Sequence, residues 1–267
     1  MNRNRLGVLG WPVAHSLSPA MHNAALSALG LRDWRFQLLP VPPELLAETV
    51  RALPATGFAG ASVTVPHKEA ALEIADTASE AAEGIGAANT LSFGADGSVA
   101  ADNTDAPGFL RAFPSPPVAG GTAQVLGAGG SARAAAWALR EAGLQVRVWN
   151  RTPGRARALA DELGVEAVGR PSEADILVNC TVAGMEGEPF ALLPLDAADL
   201  GHYGTVADFV YADPAAALLG AARAAGCQVV EGIDILVQQG ALALEAWTGR
   251  PAPVAVMAAA ARAGAAA

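Results

Sequence analysis

A glycine-rich turn between an apolar run and an alanine-rich segment is the feature that most constrains the fold of this chain. Residues 125–132 read VLGAGGSA and match the spacing G-x-G-x-x-A where a predicted buried strand gives way to a predicted helix. The first glycine permits a tight turn, the second lets a pyrophosphate approach the backbone, and the small third residue allows close helix packing. The dinucleotide-binding residues predicted here are Gly127, Ala128, Gly129, Gly130, Ser131 and Ala132.

Short apolar runs alternate with helical patterns on both sides of this turn. After it, the runs QVRVWN, DILVNC, TVADFVY and CQVVEG alternate with predicted helices across 131–142, 153–163 and 214–225. This alternation predicts βαβ units around a parallel sheet. Before the turn, LGVLG, FQLLPV and ASVTVP predict an α/β class as well. The segment from Ile235 to the end predicts helix without a following strand, and the proline- and glycine-rich stretch 113–121 predicts a linker.

Length and composition limit the classes of protein that remain. A chain of 267 residues with 52% hydrophobic and 16% charged residues predicts one large or two ordinary folded domains. The formal net charge of -9 argues against a general nucleic-acid or anionic-membrane surface. No apolar stretch reaches the length of a membrane helix. Cys180 and Cys227 have no metal-ligand spacing with the histidines, so we expect no metal and two reduced, buried thiols. Since the sequence predicts no membrane span, we also expect a cytoplasmic protein.

The strand that follows the glycine-rich helix ends in a basic motif. Many NAD sites place a carboxylate about 20 residues after the glycines, where it binds the ribose 2′-hydroxyl. This chain has Asn150, Arg151 and Thr152 there, followed by Arg155. Two guanidinium groups suit a doubly charged 2′-phosphate, so the sequence predicts NADP as the cofactor.

Four polar stretches accompany the apolar runs of the first half. They are 15–19 (HSLSP), 62–68 (SVTVPHK), 88–90 (ANT) and 102–105 (DNTD). Taken alone, each has a structural explanation: Ser18 before Pro19 suits a helix N-cap, and Pro66 with Lys68 suits the start of another helix.

Together these stretches resemble the shikimate dehydrogenase family along essentially the whole chain. The motifs that carry the resemblance are S-x-S at 16–18, V-T-V-P-x-K at 63–68, N-T at 89–90, D-N-T-D at 102–105, GAGGSA at 127–132, N-R-T-x-x-R at 150–155, N-x-T at 179–181 and L-V-x-Q at 236–239. Two departures stand out. Ser62 replaces the usual asparagine before V-T-V-P, and the loop after Tyr211 reads Ala-Asp-Pro instead of Asn-Pro.

The resemblance implies an α/β protein of two domains with an active site in the cleft between them. It implies a substrate-binding catalytic domain over 1–105, to which a helical segment 238–267 returns, and a Rossmann-like, parallel-sheet NADP domain over 106–237. The implied reaction is the reversible, NADP-dependent reduction of 3-dehydroshikimate to shikimate, on the route to chorismate and the aromatic amino acids. Small-molecule substrates are the implied partners, and a homodimer is a possible assembly.

The resemblance also implies residue roles. Ser16 and Ser18, two apart in a segment taken as extended, would bind the substrate carboxylate. The ring hydroxyls would contact Thr64, Asn89 and Gln239, and Tyr211 could contact substrate as well. Lys68 and Asp105 would flank the carbonyl that becomes the C3 hydroxyl, with Lys68 as the favoured proton donor and acceptor. Near the nicotinamide, next to Asn179, the pattern places Thr181, Met185 and Gly232.

Three alternatives follow from the same residues. A quinate/shikimate dehydrogenase that uses NAD is disfavoured by Arg151 and the missing carboxylate. A non-catalytic nucleotide-binding relative is disfavoured by the presence of both Lys68 and Asp105. A methylenetetrahydrofolate dehydrogenase-like enzyme shares the two-domain outline, and fold alone does not fix function. The S-x-S and D-N-T-D elements do not belong to that third class.

Overall fold

The chain divides into two compact units, each with one sheet. The computed structural model describes residues 4–183, 189–211 and 216–266. The first unit comprises Met1–Thr104 and Val237–Ala267, and the second comprises Asp105–Leu236. Each division therefore falls one residue before the boundary drawn from the sequence.

The described residues form the following strands and helices in chain order. The strands are β1 Arg5–Gly10, β2 Arg35–Pro40, β3 Phe58–Val63, β4 Thr77–Ala78, β5 Thr90–Phe93, β6 Val99–Asp102, β7 Thr122–Leu126, β8 Gln145–Trp149, β9 Glu166–Ala167, β10 Ala174–Asn179, β11 Tyr203–Asp208 and β12 Gln228–Val230. The α-helices are α1 Ser18–Ala28, α2 Leu46–Ala52, α3 Lys68–Ile74, α4 Glu80–Ile85, α5 Asp105–Arg111, α6 Gly130–Glu141, α7 Pro153–Leu163, α8 Ala216–Ala224, α9 Gly232–Thr248 and α10 Val254–Ala265.

The sheet of the first unit is mixed. Its order is β2-β1-β3-β5-β6-β4, in which β1 pairs in parallel with β2 and β3, while β5 is antiparallel to both β3 and β6. The hairpin from β5 to β6 turns at Gly97, whose φ of 88° is readily adopted only by glycine. A buried apolar cluster that includes Leu9, Val50, Leu91 and Val99 holds the helices on this sheet.

Because of this topology, one edge of the first sheet collects four chain segments. The carboxyl ends of β1, β3 and β6 lie there, and the start of the antiparallel β5 lies there as well. The four polar stretches of the sequence follow or precede these same strand ends. The fold therefore brings them together although they are spread over residues 15 to 105 of the chain.

The sheet of the second unit confirms the predicted parallel arrangement. Its order is β12-β11-β10-β7-β8-β9, and its strand pairs are parallel. The chain proceeds outward from β7 in one direction through β8 and in the other through β10. Ligands of such sheets bind outside the carboxyl ends of the strands where the order reverses, which here is beside β7 and β10.

The stretch 113–121 contains neither helix nor strand, as its proline and glycine content predicts. It is not the boundary between the two units, because it connects α5 to β7 within the second. Helix α5, which precedes this stretch, belongs to the second unit because the ring of Phe109 packs against Phe113 and Phe209, at centroid distances of 5.0 and 5.4 Å. The proline and glycine residues therefore mark a loop within the second unit and not a boundary between units.

The chain ends in helices, as its sequence predicts. Helix α10 packs on α1, and Trp247 near the end of α9 donates a hydrogen bond of 3.0 Å from Nε1 to the backbone oxygen of Leu91. Within the described ranges, no helix combines the length and apolar character that crossing a membrane requires.

Replacing Gly60 by alanine should destabilise the first unit. A Cβ at this position of β3 would lie 2.6 Å from the Leu91 oxygen and would overlap the Trp247 indole nitrogen. Backbone cannot move away cheaply, so we expect Gly60→Ala to lower the free energy of unfolding by about 2 kcal/mol or more, measured by urea denaturation. Gly154→Ala is the matched control, because a Cβ at that position of α7 meets no atom within 4 Å. An unchanged midpoint for Gly60→Ala would contradict this packing.

His22 should make the protein sensitive to acid. Its ring is fully buried, stacks on Phe36 at 4.2 Å, and has no hydrogen-bond partner at either nitrogen among the described residues. Burial lowers the pKa of His22 from 6.5 to about 3. The unfolded chain therefore takes up a proton below pH 6.5 that the folded chain does not, so the stability contributed by neutral His22 is lost as pH falls from 6.5 towards 3.

The substitution His22→Phe keeps the stacked ring and removes the titration. Between pH 7 and pH 5 the free energy of unfolding of the wild type should fall by about 2 kcal/mol more than that of the variant, as urea denaturation at the two pH values would measure. His202→Gln, at an exposed histidine, should behave like the wild type. Parallel pH dependence of wild type and His22→Phe would contradict the assignment.

Candidate active site

A backbone ladder assembles the polar edge of the first sheet. Thr64 donates its N–H to the oxygen of Leu9 at 2.8 Å, Val63 donates to Asn89 at 2.7 Å, and Asn89 donates to Asp102 at 3.1 Å. The segments after β1 and β3, before β5 and after β6 are thus joined side by side. Gly10 allows the segments after β1 and β3 to approach closely, because a Cβ there would lie 2.5 Å from the Thr64 methyl group.

Lys68 is held at the first position of α3 by the loop that follows β3. The buried His67 lies with Nε2 2.7 Å from the backbone oxygen of Val41. A carbonyl only accepts, so Nε2 carries the proton and donates. The backbone oxygen of Lys68 accepts from Ala88 N at 2.8 Å, which ties the start of α3 to the segment before β5. The Lys68 side chain is itself buried, with 9% of the residue exposed.

Asn89 is the centre of a buried hydrogen-bond network. Its Nδ2 donates to Thr104 Oγ1 at 3.0 Å and to Gln239 Oε1 at 3.2 Å. Its Oδ1 accepts from the Thr104 N–H at 2.7 Å and from the Thr90 hydroxyl at 3.0 Å. Both amide protons are thereby engaged within the protein. A ligand hydroxyl that accepts a hydrogen bond from Asn89 Nδ2 has to take the place of Thr104 or Gln239 as the acceptor.

This network joins three distant parts of the sequence. Gln239 lies on α9, 150 residues from Asn89, and is buried against it. Thr104 immediately precedes Asp105, which is the first residue of α5 and is buried. The predicted substrate-contacting residues Asn89 and Gln239 are therefore brought together, and Asp105 follows directly in the chain from a residue that Asn89 holds.

Ser16 and Ser18 are adjacent, but not for the reason expected from the sequence. Leu17 has helical φ and ψ of -82° and -5°, and Ser18 is the first residue of α1 with Pro19 after it. The segment is therefore not extended, and Ser18 is not an N-cap. Instead the Ser16 hydroxyl accepts from the Ser18 N–H at 3.3 Å, which places both hydroxyl-bearing residues at the N-terminus of α1. Helix N-termini favour anions such as a carboxylate.

The glycine-rich turn of the second unit has the geometry that a pyrophosphate site needs. Gly127 has a φ of 116°, and a Cβ there would lie 3.1 Å from the oxygen of Cys180. Gly129 caps α6, and a Cβ there would meet nothing within 4 Å, so open space lies in front of its backbone. The first turn of α6 has no side-chain cap at Gly129 and no acidic residue. Helix N-termini favour anions. Ala132 is fully buried, as close helix packing requires.

The next strand end supplies positive charge to the same sheet edge. Gly127 donates its N–H to the Trp149 oxygen at 2.8 Å, so the segment from Asn150 onward runs beside the glycine turn. The amide of Asn150 donates to the Thr152 oxygen at 3.0 Å and shapes this bend. Arg151 and Arg155 are exposed and form no ion pair with described residues. The residues present at this edge fit a dinucleotide with a 2′-phosphate.

On the other side of the glycine turn, the loop after β10 is held by Asn179. Cys180 donates its N–H to the Leu126 oxygen at 2.9 Å, which places this loop against the turn. Thr181 donates its hydroxyl to Asn179 Oδ1 at 2.7 Å. Gly232 begins α9 so close to β11 that a Cβ would lie 2.7 Å from the Asp208 oxygen. Tyr211 is half-buried, and burial raises the pKa of its phenol above the ordinary 10.0, so the hydroxyl stays protonated. Met185 lies outside the described residues.

Asp208 is a buried carboxyl that the sequence analysis missed. It ends β11 inside the apolar run TVADFVY, and burial raises its pKa from 3.8 to about 7. Its position at the end of a parallel strand was the available signal, because such ends line ligand sites. Thr90 and Thr104 lie inside the N-T and D-N-T-D motifs, but the sequence assigned them no role, because their hydrogen bonds with Asn89 depend on strand pairing.

The positions of the histidine, cysteine and acidic side chains in the fold bear on metal binding and disulfide formation. Among the residues that the structure describes, no group of three histidine, cysteine or acidic side chains could hold a metal ion. Neither cysteine forms a disulfide, and Cys227 is buried as expected, but Cys180 is only half-buried. Its place directly after β10, at the open edge of the sheet, explains the difference.

Two protein-family sequence models match this chain, each mainly within one of the two stretches that form the first unit. The sequence model of the shikimate dehydrogenase substrate binding domain matches residues 8–91. That of the shikimate 5'-dehydrogenase C-terminal domain matches residues 232–262.

Curated relatives cover nearly the whole chain. Shikimate dehydrogenase (NADP(+)) of Thermus thermophilus is 47% identical over 248 residues, covering 92% of this chain and 92% of the relative. The enzyme of that name from Paracoccus denitrificans is 44% identical over 259 residues, covering 91% and 90%. The crystal structure of shikimate 5-dehydrogenase from Thermus thermophilus in complex with NADP(H) and shikimate has a TM-score of 0.87 at 44% identity, covering 99% of this chain and all of that one. The chain therefore belongs to the shikimate dehydrogenase family.

Proposed function

We propose that this protein is an NADP-dependent shikimate dehydrogenase that interconverts 3-dehydroshikimate and shikimate. The joint presence of two features carries the proposal. A buried Lys68 lies at the same sheet edge as the Asn89–Gln239 network, and the glycine turn is flanked by Arg151 and Arg155 without an acidic residue. One relative with this name is 47% identical, in an alignment that covers 92% of the chain. Residues 1–105 with 238–267 would bind substrate, and 106–237 would bind NADP.

The substrate is a ring with one carboxylate and several hydroxyls, and the first unit offers matching groups. The carboxylate would accept hydrogen bonds from the hydroxyls of Ser16 and Ser18 at the N-terminus of α1. Thr64 and Gln239 would contact ring hydroxyls, with Asn89 orienting Gln239 and exchanging one of its internal hydrogen bonds for a substrate hydroxyl. Tyr211, protonated at neutral pH, would be a further donor to the substrate.

Lys68 would carry the proton chemistry. Reduction of the substrate carbonyl leaves negative charge on its oxygen, and an ammonium group beside that oxygen stabilises the charge and donates a proton. In the oxidative direction the neutral amine takes the hydroxyl proton back. Asp105 would hydrogen-bond the same hydroxyl and orient Lys68. Arginine at position 68 could supply the charge but not the proton, because its pKa is too high for release.

The second unit would hold NADP(H), which when bound supplies or accepts the hydride. Gly127 to Ala132 would bind the pyrophosphate through backbone N–H groups at the start of α6. Asn150 and Thr152 would frame the adenosine ribose, and Arg151 and Arg155 would bind its 2′-phosphate. Thr181, Met185 and Gly232 would lie on the nicotinamide side. Homodimer formation and a cytoplasmic location stay predictions from the sequence.

A crossed assay tests the proposal. Purified protein is given shikimate or quinate with NADP or NAD, and the appearance of reduced nicotinamide is followed by absorbance. Shikimate with NADP should give the highest kcat/KM of the four combinations. Higher kcat/KM for quinate with NAD would favour the quinate/shikimate dehydrogenase alternative instead. Absence of turnover from folded protein that binds NADP would favour the non-catalytic relative.

A further inference from the structure

Asp208 and Asn179 end neighbouring strands of the second sheet, where they form a short relay. Asn179 Nδ2 donates to Asp208 Oδ1 at 2.9 Å and to the Ala183 oxygen at 3.2 Å. Asp208 Oδ1 also accepts the N–H of Val210 at 3.0 Å. Both Asn179 and Asp208 are fully buried. The two acceptors fix which end of the Asn179 amide faces Thr181.

The orientation of that amide fixes the hydroxyl of Thr181. Asn179 Oδ1 accepts from both the N–H and the hydroxyl of Thr181, at 3.1 and 2.7 Å. The Thr181 oxygen in turn accepts the N–H of Ala183 at 3.0 Å. A hydroxyl has one proton and two lone pairs, so one lone pair is left and no proton. Thr181 can therefore only accept a hydrogen bond from a ligand.

We infer that Asp208 is a positioning residue for the cofactor, acting through Asn179 to present Thr181 as an acceptor to an amide N–H such as the nicotinamide carboxamide. This inference rests on the proposed function, since it takes Thr181 to lie on the nicotinamide side. The role requires an acceptor at Oδ1 and not a charge. Burial raises the pKa of Asp208 to about 7, and Oδ2 has no partner among the described residues, yet Oδ1 accepts in either protonation state.

Direct binding of NADP by isothermal titration calorimetry tests the inference. Asp208→Ala removes the acceptor and should weaken NADP binding about tenfold, because two buried N–H groups lose their partner and the relay loosens. Asp208→Asn keeps a carbonyl oxygen at the Oδ1 position and should bind within about twofold of the wild type. Asp208→Ser serves as a second acceptor-deletion variant if Asp208→Ala does not fold. Thr181→Val should also weaken binding about tenfold.

The double variant distinguishes positioning from general destabilisation. If Asp208 acts through Thr181, Asp208→Ala with Thr181→Val should bind NADP no more weakly than the weaker single variant. Asp175→Ala is the matched control, because that carboxylate accepts from Thr122 N and Oγ1 at the opposite end of β10. It should leave NADP binding unchanged.

In steady-state assays, Asp208→Ala should raise KM for NADP about tenfold and leave KM for shikimate unchanged, a split that a purely structural role would not produce. Equal NADP binding by wild type and Asp208→Ala, or additive losses in the double variant, would overturn the inference alone. A wild-type protein that binds no NADP would overturn the proposed function and this inference with it.

Discussion

Replacing Lys68 by alanine should lower kcat for shikimate oxidation about 1,000-fold while the Kd for NADP stays the same. A positioned acid–base group contributes about 10²- to 10⁴-fold to a rate, and here the same group also stabilises the developing oxyanion. Lys68→Arg separates these two contributions, because arginine keeps the charge but cannot release a proton. We expect Lys68→Arg to remain at least about 100-fold below the wild type. Steady-state kinetics with both ligands saturating gives kcat for each variant.

The neighbouring Glu69→Gln is the matched control, since Glu69 is exposed on the same helix and should leave kcat unchanged. Lys68 is also the only lysine in the chain. Reductive methylation therefore reports on this one ammonium group and the N-terminus, and mass spectrometry of the peptide that contains Lys68 measures its extent. Shikimate should slow methylation of Lys68. Wild-type kcat in Lys68→Ala would contradict the assigned chemistry.

Reversing the charge of Arg151 should remove the preference for NADP. Charge-assisted hydrogen bonds are worth about 1.5–3 kcal/mol, and a carboxylate would also repel the 2′-phosphate. We expect Arg151→Asp to lower kcat/KM for NADP about 100-fold and to change kcat/KM for NAD less than about threefold. Initial rates at varied concentrations of each cofactor measure both values.

Arg157→Asp makes the same change of charge on α7, at another exposed arginine. It should leave the preference intact, which separates a local phosphate contact from the overall field of the protein. If both variants lose NADP activity equally, long-range electrostatics accounts for the preference and Arg151 does not contact the phosphate. If neither does, the 2′-phosphate binds elsewhere.

The second unit was more predictable from the sequence than the first. In a parallel βαβ sheet the strands are apolar runs and the helices are amphipathic segments, so both can be recognised in the sequence. The predicted helix at 153–163 accordingly agrees with the observed Pro153–Leu163. The hairpin of β5 and β6 escaped prediction because its strands are only four residues each, although Asp96 and Gly97 are a typical hairpin turn. Short antiparallel strands take their register from tertiary pairing, here with β3.

Site residues divide in the same way. The glycine turn follows β7 directly, and Lys68 begins the helix that is separated from β3 by residues 64–67. The sheet therefore positions both, and the sequence predicts their surroundings. The Asn89–Gln239 contact joins residues 150 apart and depends on how α9 packs, which no local pattern encodes. For Ser16 and Ser18 the two-residue spacing predicted an extended segment, but Leu17 between them has helical φ and ψ, so the segment is not extended.

Transfer of a labelled hydride tests the central claim most directly. Shikimate that carries deuterium on the C3 carbon is oxidised by the purified protein with NADP, and the reduced cofactor is analysed by mass spectrometry. The proposed function predicts one deuterium in each NADPH formed. Label released to water, or NADPH formed without deuterium, would contradict direct hydride transfer from the substrate, and no turnover with this pair of ligands would contradict the activity itself.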